Sequence, residues 1–138
     1  MATRPPVTCH VLDTTIGQPG PNIAVTLKVN IAESADQDAK LAGEFSGLTN
    51  GDGRVTEWKG SGSDVQTLFE SASGDMWCTL TFETREYWEK KDIKPFFPEV
   101  EIHFQTTGYK GLAQGASQPH WHVPVLLGPY NYTTYRGS

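Results

Sequence analysis

Cysteine is nearly absent: Cys9 and Cys78 are the only two in 138 residues. That is too few for a disulfide framework, so two buried free thiols are expected. No apolar run approaches the ~20 residues of a membrane span. Residues 1–10 lack the apolar core of a secretory leader, so no leader is expected. The closing Tyr-Arg-Gly-Ser is not a Ser-Lys-Leu peroxisomal signal, so cytoplasmic residence is expected over peroxisomal. Positive charge is scarce, with 11 Lys and Arg against 16 Asp and Glu and a net charge of -5. A nucleic-acid binder needs a basic footprint, which this balance lacks. There is no Gly-x-Ser-x-Gly nucleophile elbow, no phosphate-cradling glycine motif and no internal repeat. Asn50-Gly-Asp-Gly53 has turn chemistry but lacks the further ligands of a calcium loop.

What is present reads as one domain over residues 1–138, a size that can carry its own core. Hydrophobic residues make up 37% and aromatics 11%, which excludes the disordered class. Period-two alternation dominates. Val7, Cys9 and Val11 alternate with Thr8, His10 and Leu12. Ile23–Val29 and Val100–Phe104 repeat the pattern. Further strands are expected at Glu44–Leu48, Arg54–Trp58, Met76–Glu83, His120–Leu127 and Tyr130–Arg136. About eight short strands predict an all-β sandwich or barrel. One short helix is expected after Thr84, its candidate cap, with Glu86 in the first turn and Lys90 and Lys91 in the last. Pro95 forbids its continuation. Ala32–Gly43, Lys59–Asp75 and Thr107–Pro119 read as loops. Pro124 lies inside a strand, which demands an edge position or a bulge. The last strand would be sticky as a free edge, which a partner chain would relieve.

Four histidines could carry chemistry: His10, His103, His120 and His122. His120 and His122 are two apart on a strand and share a face. Each reads first as a hydrogen-bonded surface histidine. The pair also fits zinc, with His10 or His103 as a third ligand, or acid–base work near neutral pH. Arg54 opens a strand after a glycine-rich turn. It reads as a solvated strand-end residue, or as a fixed cation for a developing oxyanion. The strand pattern runs into Tyr135-Arg136-Gly137-Ser138, where fraying is the ordinary expectation.

Taken together, these segments resemble a known family. They are Cys9-His-Val-Leu-Asp13, Gly53-Arg54, His120-Trp-His-Val-Pro-Val-Leu-Leu127 and Tyr132-Thr-Thr-Tyr-Arg-Gly-Ser138. Thr84-Arg-Glu-Tyr87 and Phe96-Phe-Pro-Glu-Val-Glu-Ile-His-Phe104 add to them. The chain is similar, over nearly its whole length, to the transthyretin-related 5-hydroxyisourate hydrolases. The Tyr-Arg-Gly-Ser motif is the specific part, since hormone-carrying transthyretins share the fold but lack it. Trp121 in place of Tyr, Gly128 in place of a small polar residue, and the first two loops depart from the pattern.

The resemblance implies a transthyretin-like β-sandwich of about eight strands with one short helix. It also implies a homotetramer, a dimer of dimers, with active sites at subunit interfaces. Its reaction is ring opening of 5-hydroxyisourate to 2-oxo-4-hydroxy-4-carboxy-5-ureidoimidazoline in urate degradation, without metal or cofactor. Carried over residue by residue, the catalytic positions are His10, Arg54 and His122. Tyr135, Arg136, Gly137 and Ser138 line the substrate site, and His120 supports it. The rival reading is a transthyretin-type small-ligand carrier without catalysis. A metal-binding sandwich through His120 and His122 is a second rival.

Overall fold

The computed structural model describes residues 4–32, 39–60 and 62–138. The alternating segments form two five-stranded sheets packed face to face. The first contains β1 (Val7–Asp13), β2 (Gln18–Pro19), β5 (Arg54–Val55), β9 (Trp121–Leu127) and β10 (Tyr132–Thr134). Its order is β10-β9-β1-β2, with β5 also paired to β1. The second contains β3 (Ala24–Ile31), β4 (Lys40–Leu48), β6 (Lys59–Gly60), β7 (Asp75–Phe82) and β8 (Val100–Thr107), ordered β6-β4-β3-β7-β8. All pairings are antiparallel except β1 with β9, which run parallel from Val7–Trp121 to Asp13–Leu127.

The alternation is real in space. Val7, Cys9 and Val11 of β1 are buried, as are Val123, Val125 and Leu127 of β9. They meet Val25, Leu27 and Val29 of β3 and Met76, Cys78, Leu80 and Phe82 of β7 in one continuous core. Removing such apolar surface from water is the main force holding the sheets together. Because the side-chain period is two, burying these positions turns Thr8, His10 and His122 to the outer face of the first sheet. Both cysteines are free and buried. Burial pushes the Cys9 thiol up to about 12 and the Cys78 thiol to about 11.

The strand expectations hold in outline and differ in detail. Among the described residues two helices occur, not one. The first, α1 (Val65–Ser71), stands inside the stretch read as a Lys59–Asp75 loop. Asp64 caps it by accepting from the Thr67 N–H at 2.8 Å, and Val65 and Phe69, one turn apart, are buried. The second, α2 (Arg85–Glu89), is the expected helix. Thr84 precedes it but does not cap it; its hydroxyl donates to the Phe97 carbonyl at 3.2 Å. Lys90 and Lys91 fall just beyond its end, and fully buried Trp88 anchors it. Of the expected loop Ala32–Gly43, residues 33–38 lie outside the described residues and 40–43 belong to β4. The strand expected over Arg54–Trp58 is only two residues long, because Trp58 turns away to donate its indole N–H to the Val7 carbonyl.

Pro124 is not on an edge strand, since β9 is bordered on both sides. Its missing N–H falls where the β10 ladder stops at Thr134–Val125, before a single bridge joins Gly137 to His122. The Thr134 hydroxyl donates to the Pro124 carbonyl there at 2.9 Å. The edge strands are β10 and β2 in the first sheet and β8 and β6 in the second. Phe96, 72% exposed, and Tyr130, 68%, lie at the start of β10, where the Phe96 N–H donates to the Pro129 carbonyl.

Candidate active site

Arg54 is placed by a backbone device. The Asn50 side chain accepts from the N–H groups of Asp52 and Arg54, at 2.9 and 3.1 Å. Gly53, at φ 76°, sends its carbonyl to the Val11 N–H at 2.8 Å. A side chain on Gly53 would collide with the Val11 carbonyl oxygen. The turn therefore sets Arg54 directly opposite His10 in the β1–β5 pair. In the parallel pair, Thr8 lies opposite His122 and His10 opposite Pro124. Two sheet pairings thus gather His10, Arg54 and His122 on one outer face from positions 44 to 112 residues apart in sequence.

That face carries a cavity of about 370 Å³ lined by Arg4, Pro5, Thr8, Cys9, Arg54, Val55, Thr56, His120, His122 and Ser138. The volume falls in the roughly 300–1,000 Å³ range of small-molecule sites. Arg54, His120, His122 and Ser138 thus line one space. His10 is not on its wall; its ring centroid lies 6.3 Å from that of His122. Gly137 backs the wall, its N–H donating to the His122 carbonyl at 2.8 Å. Tyr135 and Arg136 point elsewhere, into a neighbouring groove shared with Ile102–Gln105 of β8. The Arg136 guanidinium reaches back only to the His120 carbonyl, at 3.3 Å. His103 is remote, bound to Thr79 and Glu101 on the second sheet.

The wall holds two guanidinium groups, two imidazoles and no carboxylate side chain, in a chain of net charge -5. Such clustering creates a local positive field that the total charge conceals. His122 is held below the ordinary imidazole pKa, first by burial and then by Arg54, His10 and Arg4. Burial and Arg4 lower His120 likewise, against a hydrogen bond to the Pro5 carbonyl that works the other way. Neutral imidazoles beside fixed cations can accept a proton from water while the cations hold developing negative charge. Arg4, Pro5, Thr8 and Thr56 were missed in sequence: each is an ordinary residue type whose place depends on long-range pairing. Among the described residues no three His, Cys, Asp or Glu side chains converge as a metal site.

Residues 7–137 match the model of the HIUase/Transthyretin family. The chain belongs to that family. It is 36% identical over 145 residues to the probable 5-hydroxyisourate hydrolase of Schizosaccharomyces pombe, covering all of both chains. It is 33% identical over 139 residues to the 5-hydroxyisourate hydrolase of Mus musculus, again covering all of both. Among solved structures, Klebsiella pneumoniae 5-hydroxyisourate hydrolase superposes with a TM-score of 0.61 at 23% identity, covering 96% of this chain and 97% of that one. The two-sheet arrangement is the transthyretin-like β-sandwich expected from the sequence. Among the described residues no helix is long and apolar enough to cross a membrane.

Proposed function

We propose that this family member hydrolyses 5-hydroxyisourate, opening its six-membered ring at an amide bond to give 2-oxo-4-hydroxy-4-carboxy-5-ureidoimidazoline. The observation that carries the reading is the convergence of Arg54, His122 and Ser138 on one cationic cavity beside His10. His122 takes the proton of the attacking water. The Arg54 guanidinium, which donates in a planar fork, holds the substrate's oxygens and the oxyanion that forms. His10 acts behind His122, orienting the ring or relaying the proton to the leaving nitrogen. Ser138 and His120 complete the wall, and Gly137 lets the chain lie against His122. Tyr135 and Arg136 serve by holding that terminal segment in place rather than by touching substrate.

The working form is a homotetramer whose subunits close the open face of each cavity. The unpaired edges of β8 and β10, with Phe96 and Tyr130 exposed beside the latter, suit the extension of sheets between subunits. A carrier with the same fold would have no need of His10, Arg54, His122 and Ser138 together.

The test generates 5-hydroxyisourate from urate with urate oxidase and follows its ultraviolet decay with wild type, His10→Ala, Arg54→Ala and His122→Ala. Loss of acid–base help typically lowers turnover by roughly two to four orders of magnitude. Wild-type rates in both histidine variants would overturn this assignment of the site.

A further inference from the structure

The Thr8 side chain stands between the two histidines of the His-x-His segment. Its hydroxyl oxygen is 2.9 Å from His120 Nε2 and 2.7 Å from His122 Nδ1. A hydroxyl carries one proton, so it donates to one ring nitrogen and accepts from the other. Among the described residues the hydroxyl has no third partner, which assigns its proton to one of these two bonds. The protonation patterns of the two rings are therefore coupled through Thr8.

The proposed role of His122 sets the direction. Its Nδ1 faces Thr8, so the nitrogen left to take a proton from water is Nε2, which must be bare. A neutral imidazole has one N–H, so His122 carries it on Nδ1 and donates it to the Thr8 oxygen. The Thr8 proton then goes to His120 Nε2, which leaves the His120 N–H on Nδ1.

We propose that Thr8 is a positioning residue: it holds His122 in the Nδ1–H tautomer by accepting from that ring and donating to His120 Nε2. The hydrogen bond made by one ring nitrogen sets what the other can do. The proposal rests on the reading of His122 as the group that takes the water proton. As the water oxygen bonds to the amide carbonyl carbon, its O–H bond breaks and the proton passes to His122 Nε2. The imidazolium keeps its Nδ1–H bond to Thr8 throughout. It then returns the proton to the departing ring nitrogen as the C–N bond breaks, and the base is restored. His120 acquires a role distinct from catalysis, as the anchor that stops the Thr8 hydroxyl from turning round. The opposite setting would place the proton on His122 Nε2 and leave it unable to accept one from water.

Two-bond proton–nitrogen spectra of uniformly nitrogen-15-labelled protein test this at a pH where both rings are neutral. The wild type is expected to show protonated Nδ1 and bare Nε2 on both His120 and His122. Thr8→Val keeps the shape but removes the hydroxyl. It should give His122 a mixture of tautomers and lower kcat about 10- to 100-fold, the usual loss when a histidine's outer hydrogen-bond partner goes, with KM nearly unchanged. Thr8→Ser should restore both readouts. A protonated Nε2 on wild-type His122 would overturn the proposal, as would wild-type kcat and an unmixed tautomer in Thr8→Val. The spectrum of the folded wild type needs no substrate and no variant. If the wild type does not accelerate decay of 5-hydroxyisourate, the catalytic reading fails while the spectrum still decides the tautomer.

Discussion

Replacing Gly137 with alanine adds one methyl group and tests whether the position of His122 matters. Gly137 has no positive φ, so alanine brings no backbone strain there. The added carbon would lie 2.6 Å from His122 Cδ2, 3.0 Å from Pro124 Cγ and 3.2 Å from Pro124 Cδ. Ordinary contact between carbons is about 3.5–4.0 Å. Something must therefore move by about 1 Å, and the proline ring cannot. The His122 ring is also tied to Thr8 at 2.7 Å, so either that bond is stretched or the segment with Ser138 lifts off the wall. A 1 Å misplacement of a reacting group costs about 100-fold in rate. Gly137→Ala is thus expected to lower kcat by roughly one to two orders of magnitude. The melting temperature should change little, because residue 137 is joined to β9 by a single bridge. Substrate decay read beside a thermal melt separates the two effects. Wild-type kcat in a folded Gly137→Ala protein would refute the claim that this contact seats the catalytic ring.

Three further outcomes follow from the geometry. The pKa of His122 lies below the ordinary value and the base must be neutral to act. Activity should therefore be full at neutral pH and fall only as pH drops below about 6.5; raising salt should screen the arginines and move that limb upward, and a pH–rate profile with an unshifted, salt-independent limb would contradict this. Asp13 is fully buried and accepts from the Tyr87 hydroxyl at 2.6 Å and the Thr15 N–H at 2.9 Å, with the Lys91 ammonium 3.8 Å away. Burial opposes its charge most, yet the hydrogen bonds from Thr15 and Tyr87 outweigh it and hold the carboxyl below its ordinary pKa. A depressed carboxylate pKa gives stability that is present above the unfolded value near 4 and lost as pH falls through the folded value. Tyr87→Phe should therefore destabilise the protein by roughly 1–3 kcal/mol at pH 7 and by progressively less as pH falls below about 4, as read by denaturant unfolding. Finally, Cys9 and Cys78, buried with raised pKa values, should be inert to a thiol reagent in the native protein and both react on unfolding.

The strands were legible because burying one face imposes period two, and β1, β3, β7 and β8 carry that period cleanly. Helix α1 was not, because its segment is rich in glycine and serine and, within the helix, only Val65 and Phe69 are fully buried, with Leu68 partly packed against the core. Such a short signal needs the neighbouring sheet to become a helix. The shared face of His120 and His122 was legible for the same period-two reason. The place of Thr8 was not: it is fixed by a parallel pairing between segments more than 110 residues apart, which no local pattern announces. Charge misled in a similar way. A net charge of -5 describes the whole chain, while Arg4 and Arg54 meet in one cavity from opposite ends of a 50-residue stretch. The terminal motif was read as a unit, but the structure divides it. Ser138 reaches the cavity, while Tyr135 and Arg136 line the groove beside β8.

The central claim is that the cationic cavity on the outer face of the first sheet is a catalytic site for ring opening. The most direct measurement is the decay of freshly generated 5-hydroxyisourate at neutral pH, with and without micromolar wild-type protein. A decay rate that rises in proportion to protein concentration, well above the spontaneous rate, is the predicted result. A decay no faster than the spontaneous one, in protein that is folded and still binds the substrate, would contradict it and leave a carrier in its place.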